Sequence, residues 1–99
     1  MKKCSQKITE KELQTKIISD LDKRGWIVVK TIVLSKSGFP DIFAFKNSRA
    51  IFFEVKAKNG VRGKLQQYRI SQLQAEGFTA EFVDDYDNYL RIINIFELI

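Results

Sequence analysis

Ninety-nine residues with 44% hydrophobic and 12% aromatic content suit one folded domain, because a chain this short organises a single apolar interior and its composition is far from that of a disordered segment. The sequence has no histidine and one cysteine, Cys4. That excludes histidine acid–base chemistry, an internal disulfide and the usual zinc sites, and it leaves oxygen ligands and hard cations such as Mg²⁺ or Mn²⁺ for any metal chemistry. Seventeen Lys and Arg against twelve Asp and Glu give a net charge of +5, a balance consistent with nucleic-acid binding.

The chain opens on the basic stretch Met1-Lys2-Lys3-Cys4, which no signal-type apolar core follows. No apolar run approaches the roughly 20 residues that cross a bilayer. A cytoplasmic protein without membrane contact is therefore expected, with residues 1–8 as a flexible basic tail. Thr9-Glu10-Lys11-Glu12 has the form of a capping box, and Leu13, Ile17, Ile18 and Leu21 recur at helical spacing before Gly25, which predicts a helix from Thr9 to Arg24. Trp26 to Leu34 is rich in Val, Ile and Thr and predicts a strand,. Ser35-Lys36-Ser37-Gly38 is a loop before Pro40, the single proline, and Asp41 to Phe45 is a short second strand. Turn chemistry at Lys46-Asn47-Ser48-Arg49 joins it as a hairpin to a third strand, Ala50 to Lys56,. A basic loop with Gly60 and Gly63 leads to a helix over Leu65 to Glu76, with Leu65, Ile70 and Leu73 inward. Phe78 to Val83 is a fourth strand, and Tyr86, Tyr89, Leu90, Ile93 and Phe96 give helical spacing to the end. The order α-β-β-β-α-β-α predicts an α/β domain with a central mixed sheet flanked by helices.

Glu54-Val55-Lys56 ends the third strand. Side chains alternate along a strand, so Glu54 and Lys56 share one face and Val55 takes the other. Ile51, Phe52 and Phe53 make the upstream part apolar and central, where a carboxylate and an ammonium carry a desolvation cost. The two either pair at a solvated strand end or do chemistry there. Asp41 is either a turn residue after Pro40 or a second carboxylate that the hairpin brings beside Glu54, as a two-carboxylate cation site needs. From Lys56 to Arg69 the chain carries Lys56, Lys58, Arg62, Lys64 and Arg69 without an acidic residue, while Asp84, Asp85 and Asp87 gather further on. This run is either a solvated loop or a grip on phosphates. Glu10 lies on the helix face of Leu13, Gln14, Ile17 and Leu21, so it either stabilises the helix dipole or looks toward the sheet. Glu12 lies on the solvent side with Lys16, Ser19 and Lys23, where it serves the cap,.

The ordered set Gly38-Phe39-Pro40-Asp41, hairpin, Phe53-Glu54-Val55-Lys56 resembles the PD-(D/E)xK nuclease superfamily and, in this form, its VRR-NUC branch. The glycine-bearing loop before Gln66, the spacing to Ile70, Leu73 and Gly77, the Thr9-Glu10 start and Gly25-Trp26 extend the resemblance over roughly Thr9 to Leu90. One departure is Gly63-Lys64-Leu65-Gln66, which lacks the Ser-Pro-like helix start usual in that branch.

The resemblance implies a restriction-endonuclease-like fold for residues 1–99 and a metal-dependent DNA endonuclease. Asp41, Glu54 and the Val55 carbonyl would hold Mg²⁺ or Mn²⁺, Lys56 and Gln66 would complete the catalytic set, and Glu10 would add a further carboxylate. Lys58, Arg62, Lys64 and Arg69 would contact DNA. It further implies branched, flap or four-way-junction substrates, a homodimer, a bacterial or phage-infected cell, and no small-molecule cofactor. The apolar segment from Tyr89 to Phe96 would serve either a dimer surface or the core,. The competing expectations are a non-catalytic DNA-binding module of the same fold, and a toxin, antitoxin or similar partner of an acidic protein.

Overall fold

The computed structural model describes residues 8–99, so the basic tail expected at the N-terminus lies, except for Ile8, outside the described residues. Helix α1 spans Glu10–Lys23. It starts where the sequence places a cap: the Glu12 N–H donates to Thr9 Oγ1 at 3.0 Å, and the Thr9 N–H donates to the Glu12 carboxylate at 2.7 Å,. It ends in a Schellman turn. Gly25 takes φ +89, its N–H donates to the Asp22 carbonyl, and the Trp26 N–H donates to the Leu21 carbonyl,. The face it buries carries Leu13, Ile17 and Leu21.

Four strands follow the predicted order, β1 Ile27–Lys30, β2 Ile42–Lys46, β3 Arg49–Val55 and, after helix α2 Lys64–Ala75, β4 Thr79–Val83. They lie side by side as β1-β2-β3-β4, with the first two pairings antiparallel and β3–β4 parallel. The sheet is therefore mixed, and α2 is the crossover that a parallel pair requires. Asn47 and Ser48 both adopt positive φ, 53 and 63, which gives the tight β2–β3 turn the twist a two-residue hairpin needs. Helix α3, Tyr86–Leu98, completes the domain, with the Asp85 carboxylate accepting from the Asn88 N–H at 2.7 Å as its cap,.

Strand β3 is covered on both sides. Ile51, Phe53 and Val55 face a core made with α1 and α3, through Leu13, Ile17, Leu21, Tyr89 and Ile93. Phe52 faces the other way, into a smaller cluster with Ile70 and Ala80 that Leu73 and Phe82 extend. Helices α1 and α3 are also clamped by polar contacts. Tyr89 Oη donates to Asp20 at 2.6 Å, Arg24 bridges Asp20 and Glu97, and the Trp26 indole N–H donates to Glu97 at 2.8 Å. Tyr89, Ile93 and Phe96 of the C-terminal segment belong to this core, whereas Ile95 and Leu98 of the same helix are exposed. Among the described residues no helix is long and apolar enough to cross a membrane.

Two expectations need correction. The first strand stops at Lys30 instead of running to Leu34, because its partner begins only at Ile42, opposite Lys30. One more link joins the Thr31 N–H to the Asp41 carbonyl at 2.8 Å. Beyond it the neighbouring chain turns away through Pro40, which has no N–H to offer, and Gly38,. Leu65 is not directed into the core: it is 44% exposed and lies against the Gly38 turn, while Ile70 and Leu73 carry the packing of α2.

Gly38 is the residue that permits this approach. It has φ +85, and a Cβ built there would lie 2.6 Å from Leu65 Cγ. Gly38→Ala combines a left-handed backbone with a clash, so urea unfolding should show a loss of about 1–3 kcal/mol. The companion Gly77→Ala has the backbone penalty with open space around it and should cost less.

Candidate active site

Strands β2 and β3 bring the two carboxylates together by register. Ile42 pairs with Phe53, so one step further Asp41 stands opposite Glu54 on the same face of the sheet. The arrangement is fixed by a bond at the point where the ladder ends: the Val55 N–H donates to Asp41 Oδ2 at 3.1 Å. The N–H and C=O of a strand residue point to the same side, so the Val55 carbonyl also lies on the Asp41 side. Asp41 thus replaces the next strand partner with a carboxylate, and Pro40, buried beside it, sets its entry into β2,.

Glu54 is 2% exposed, a buried acid among apolar neighbours. Its Oε2 accepts from Gln66 Nε2 at 3.0 Å and lies 3.6 Å from Lys56 Nζ. Its Oε1 is buried without a hydrogen-bond partner among the described residues. The Lys56 backbone is tied to β4, its N–H donating to the Val83 carbonyl at 2.9 Å. Gln66 is held from the other end, since its Oε1 accepts the Gly63 N–H at 3.0 Å at the start of α2. One amide therefore caps a helix and orients a carboxylate. The neighbouring Gln67 turns away and donates to the Arg62 carbonyl.

Burial pushes the Glu54 carboxyl up to about 7, and the charge of Asp41 adds to the rise. Lys56 opposes it by charge and hydrogen bonding, and Glu10 contributes a further like-charge push,. Glu10 itself is exposed in the first turn of α1, and its link to Glu54 is the weakest of these influences. Among the described residues no three His, Cys, Asp or Glu side chains converge as a metal-holding group. The oxygen atoms brought to this end of the β2–β3 pair are those of the Asp41 and Glu54 carboxylates and the Val55 carbonyl.

The basic run is less uniform than its sequence suggests. Lys58 is paired with Asp85 at 3.1 Å and Asp84 at 3.9 Å. The bond to Asp85 raises its pKa, while the Asn88 N–H, followed by Lys58, lowers that of Asp85. Arg62 stacks 4.7 Å over the Phe82 ring, and Lys64 is exposed. Arg69 donates from Nε to the Ser37 carbonyl at 3.0 Å and sits over the Phe39 ring, which ties α2 to the loop that carries Asp41. The anchoring by Arg69 and the pairing of Lys58 with Asp84 and Asp85 were not visible in the sequence. Both depend on how α2 and α3 are placed around the sheet.

A carboxyl whose folded pKa lies above its unfolded value binds more protons in the folded state between the two, so stability falls as pH rises across that interval. For Glu54 the window runs from its ordinary 4.5 to about 7. Urea unfolding in EDTA should therefore show the protein losing stability from pH 4.5 to 7.5, with a smaller loss in Glu54→Gln, which cannot ionise. Parallel pH profiles for the two would contradict this environment for Glu54.

Comparison with known proteins agrees with the geometry. The model of the family described as archaeal Holliday junction resolvase (Hjc) matches residues 5–83. A solved structure described as a VRR_NUC domain protein superposes with a TM-score of 0.75 at 21% identity, covering 90% of this chain and 88% of the other. A second, described as a VRR_NUC domain, gives 0.77 at 19% identity, covering 88% and 97%. No curated protein sequence matches the chain. The fold is that of the VRR-NUC domain, restriction-endonuclease-like as the resemblance implied, and the chain belongs to the archaeal Holliday junction resolvase (Hjc) family of nucleases.

Proposed function

We propose that residues 1–99 form one nuclease domain that hydrolyses phosphodiester bonds of branched DNA, four-way junctions included, with a divalent cation held by Asp41, Glu54 and the Val55 carbonyl. The observation that carries this reading is Glu54. It is a buried carboxylate with one oxygen engaged by Gln66 and Lys56 and the other without a partner among the described residues, directly across from a second carboxylate. Such an arrangement is costly unless a counter-charge joins it. Two carboxylates and a carbonyl form the hard-oxygen donor set that suits Mg²⁺ or Mn²⁺, which retain several waters beside one or two protein carboxylates. When bound, such an ion polarises a phosphate oxygen and lowers the pKa of a water.

The chain's own groups have separable tasks. Lys56 places an ammonium beside Glu54, where it orients the attacking water and stabilises negative charge building on the phosphate. Gln66 holds the Glu54 carboxylate in one orientation through bonds at both ends of its amide. Asp41 and Glu54 repel each other in the absence of a cation, which favours cation uptake at this spot,. Glu10 extends the negative potential without touching the cluster. Arg62 and Lys64 face solvent beside the site and serve as phosphate contacts. Lys58 and Arg69 reach phosphate only by giving up the partners they now hold. A homodimer would present two such sites to a junction, and exposed Ile95 and Leu98 on α3 offer apolar surface for it,.

The alternative, a DNA-binding module without catalysis, predicts binding without cleavage. Incubation with linear, flapped and four-way-junction DNA should give Mg²⁺- or Mn²⁺-dependent cleavage that EDTA abolishes. Lys56→Ala and Asp41→Ala should each lower the rate by about 10²-fold or more while junction binding persists. Cleavage that is unchanged in both variants, or absent with either metal, would overturn the catalytic reading.

A further inference from the structure

The loop from Thr31 to Asp41 is rigid at its base and apolar at its tip. Its base is tied by the Thr31 N–H to the Asp41 carbonyl and by Thr31 Oγ1 to the Pro40 carbonyl at 3.0 Å. Its return limb is held by Arg69 at the Ser37 carbonyl and by Leu65 against Gly38. Between these anchors Ile32 is 89% exposed and Val33 87% exposed. With Leu34, Phe39 and Asp41 they border a cleft of about 340 Å³, so the apolar tip and a candidate catalytic carboxylate share one depression. Lys30 and Lys36, both exposed, flank the tip.

Two adjacent β-branched side chains in water are unfavourable, and their stiff χ1 angles mean that little rotamer freedom is lost when something covers them. The charges around them decide what that something is. A second copy pairing tip to tip about a two-fold axis would bring Lys30 and Lys36 of both chains together, and the repulsion opposes it. A polyanion has the opposite effect, since its phosphates neutralise both lysines. Regular duplex DNA supplies the phosphates but keeps its base faces stacked. At a branch point, terminal base pairs expose those faces, and short apolar side chains act as wedges at such steps.

We propose that the Ile32–Val33 tip is an apolar wedge that packs against base faces exposed at a DNA branch point, with Lys30 and Lys36 on the flanking phosphates. This places branch selectivity in the same loop that delivers Asp41. It rests on the nuclease reading and extends it, because it says which residues distinguish a junction from a linear duplex.

The test uses the full chain in EDTA, so that DNA stays uncut, with a four-way junction carrying 2-aminopurine at its centre and a linear duplex of equal length. The parent protein should raise 2-aminopurine emission on the junction and prefer it to the duplex. Ile32→Ser/Val33→Ser should abolish the rise and lower the junction-to-duplex affinity ratio about tenfold, in the range of one lost stacking contact. Ile32→Phe/Val33→Phe should keep both. Lys30→Ala/Lys36→Ala should reduce the slope of log affinity against log salt by about 0.9 per lysine. If the serine variant retains the emission rise and the ratio while the parent cleaves junctions with Mg²⁺, the wedge is wrong and the nuclease reading survives. If the serine variant changes only the sedimenting mass, the tip is a contact between copies and the wedge is overturned. A parent protein that binds neither DNA overturns both readings.

Discussion

The antiparallel pairing of β2 with β3 determines nearly everything about the candidate site. Its register sets Asp41 across from Glu54, and its last link is the Val55 N–H resting on the Asp41 carboxylate. Slipping the register by one residue would send Glu54 into the core of Ile51, Phe53 and Val55 and those residues to the other face,. The heavy burial of β3 on both sides prevents that slip, so the position of the acid is secured by the hydrophobic effect acting on its neighbours. The cost of the arrangement falls on Glu54, where burial and the neighbouring Asp41 charge disfavour the ionised carboxylate and push its pKa up.

Around that strand pair the other elements act as braces. Helix α2 contributes Gln66 to Glu54 and, three residues further along the chain, Arg69 to the loop before Asp41. Both carboxylates are thus steadied from one helix, and that helix is held to the sheet by few apolar side chains, Ile70 and Leu73 chief among them. The large core lies on the opposite face, where α1 and α3 close over it. The main core and the candidate site therefore occupy opposite sides of one sheet.

Much of this was legible in the sequence, and the reasons are local. The Thr9–Glu12 cap, the Asn47-Ser48 turn and the alternation through Glu54-Val55-Lys56 each encode their structure within a few residues. What was not legible depends on chain segments meeting from afar. Ile32 and Val33 have strong strand propensity, yet no partner strand extends to them because Pro40 and Gly38 divert the neighbouring chain. Propensity lost to the absence of a ladder. Leu65 sits at an apolar helical position but meets a glycine turn in place of the core. Lys58 and Arg69 look like free cations in a positive run, and only the placement of Asp85 and of the Ser37 carbonyl shows them engaged. The trio of Asp41, Glu54 and Lys56 was favoured in the sequence by strand alternation, the hairpin, the neighbouring basic run and the family resemblance together. Glu54 Oε1, by contrast, is without a partner among the described residues, which depends on how the whole sheet end is packed.

The clamp between α1 and α3 has a spectroscopic consequence. Trp26 is the single tryptophan of the chain. It is buried, tilted against Phe96 at 5.8 Å between ring centroids, and hydrogen-bonded to Glu97. It adjoins β1 at the Ile27–Phe45 pair, the end of the sheet away from Asp41 and Glu54. Its emission should therefore follow the closing of the two helices over the core, from the end of the sheet opposite the carboxylates. The protein thus carries an internal gauge of folding placed at the far end of the sheet from its candidate site.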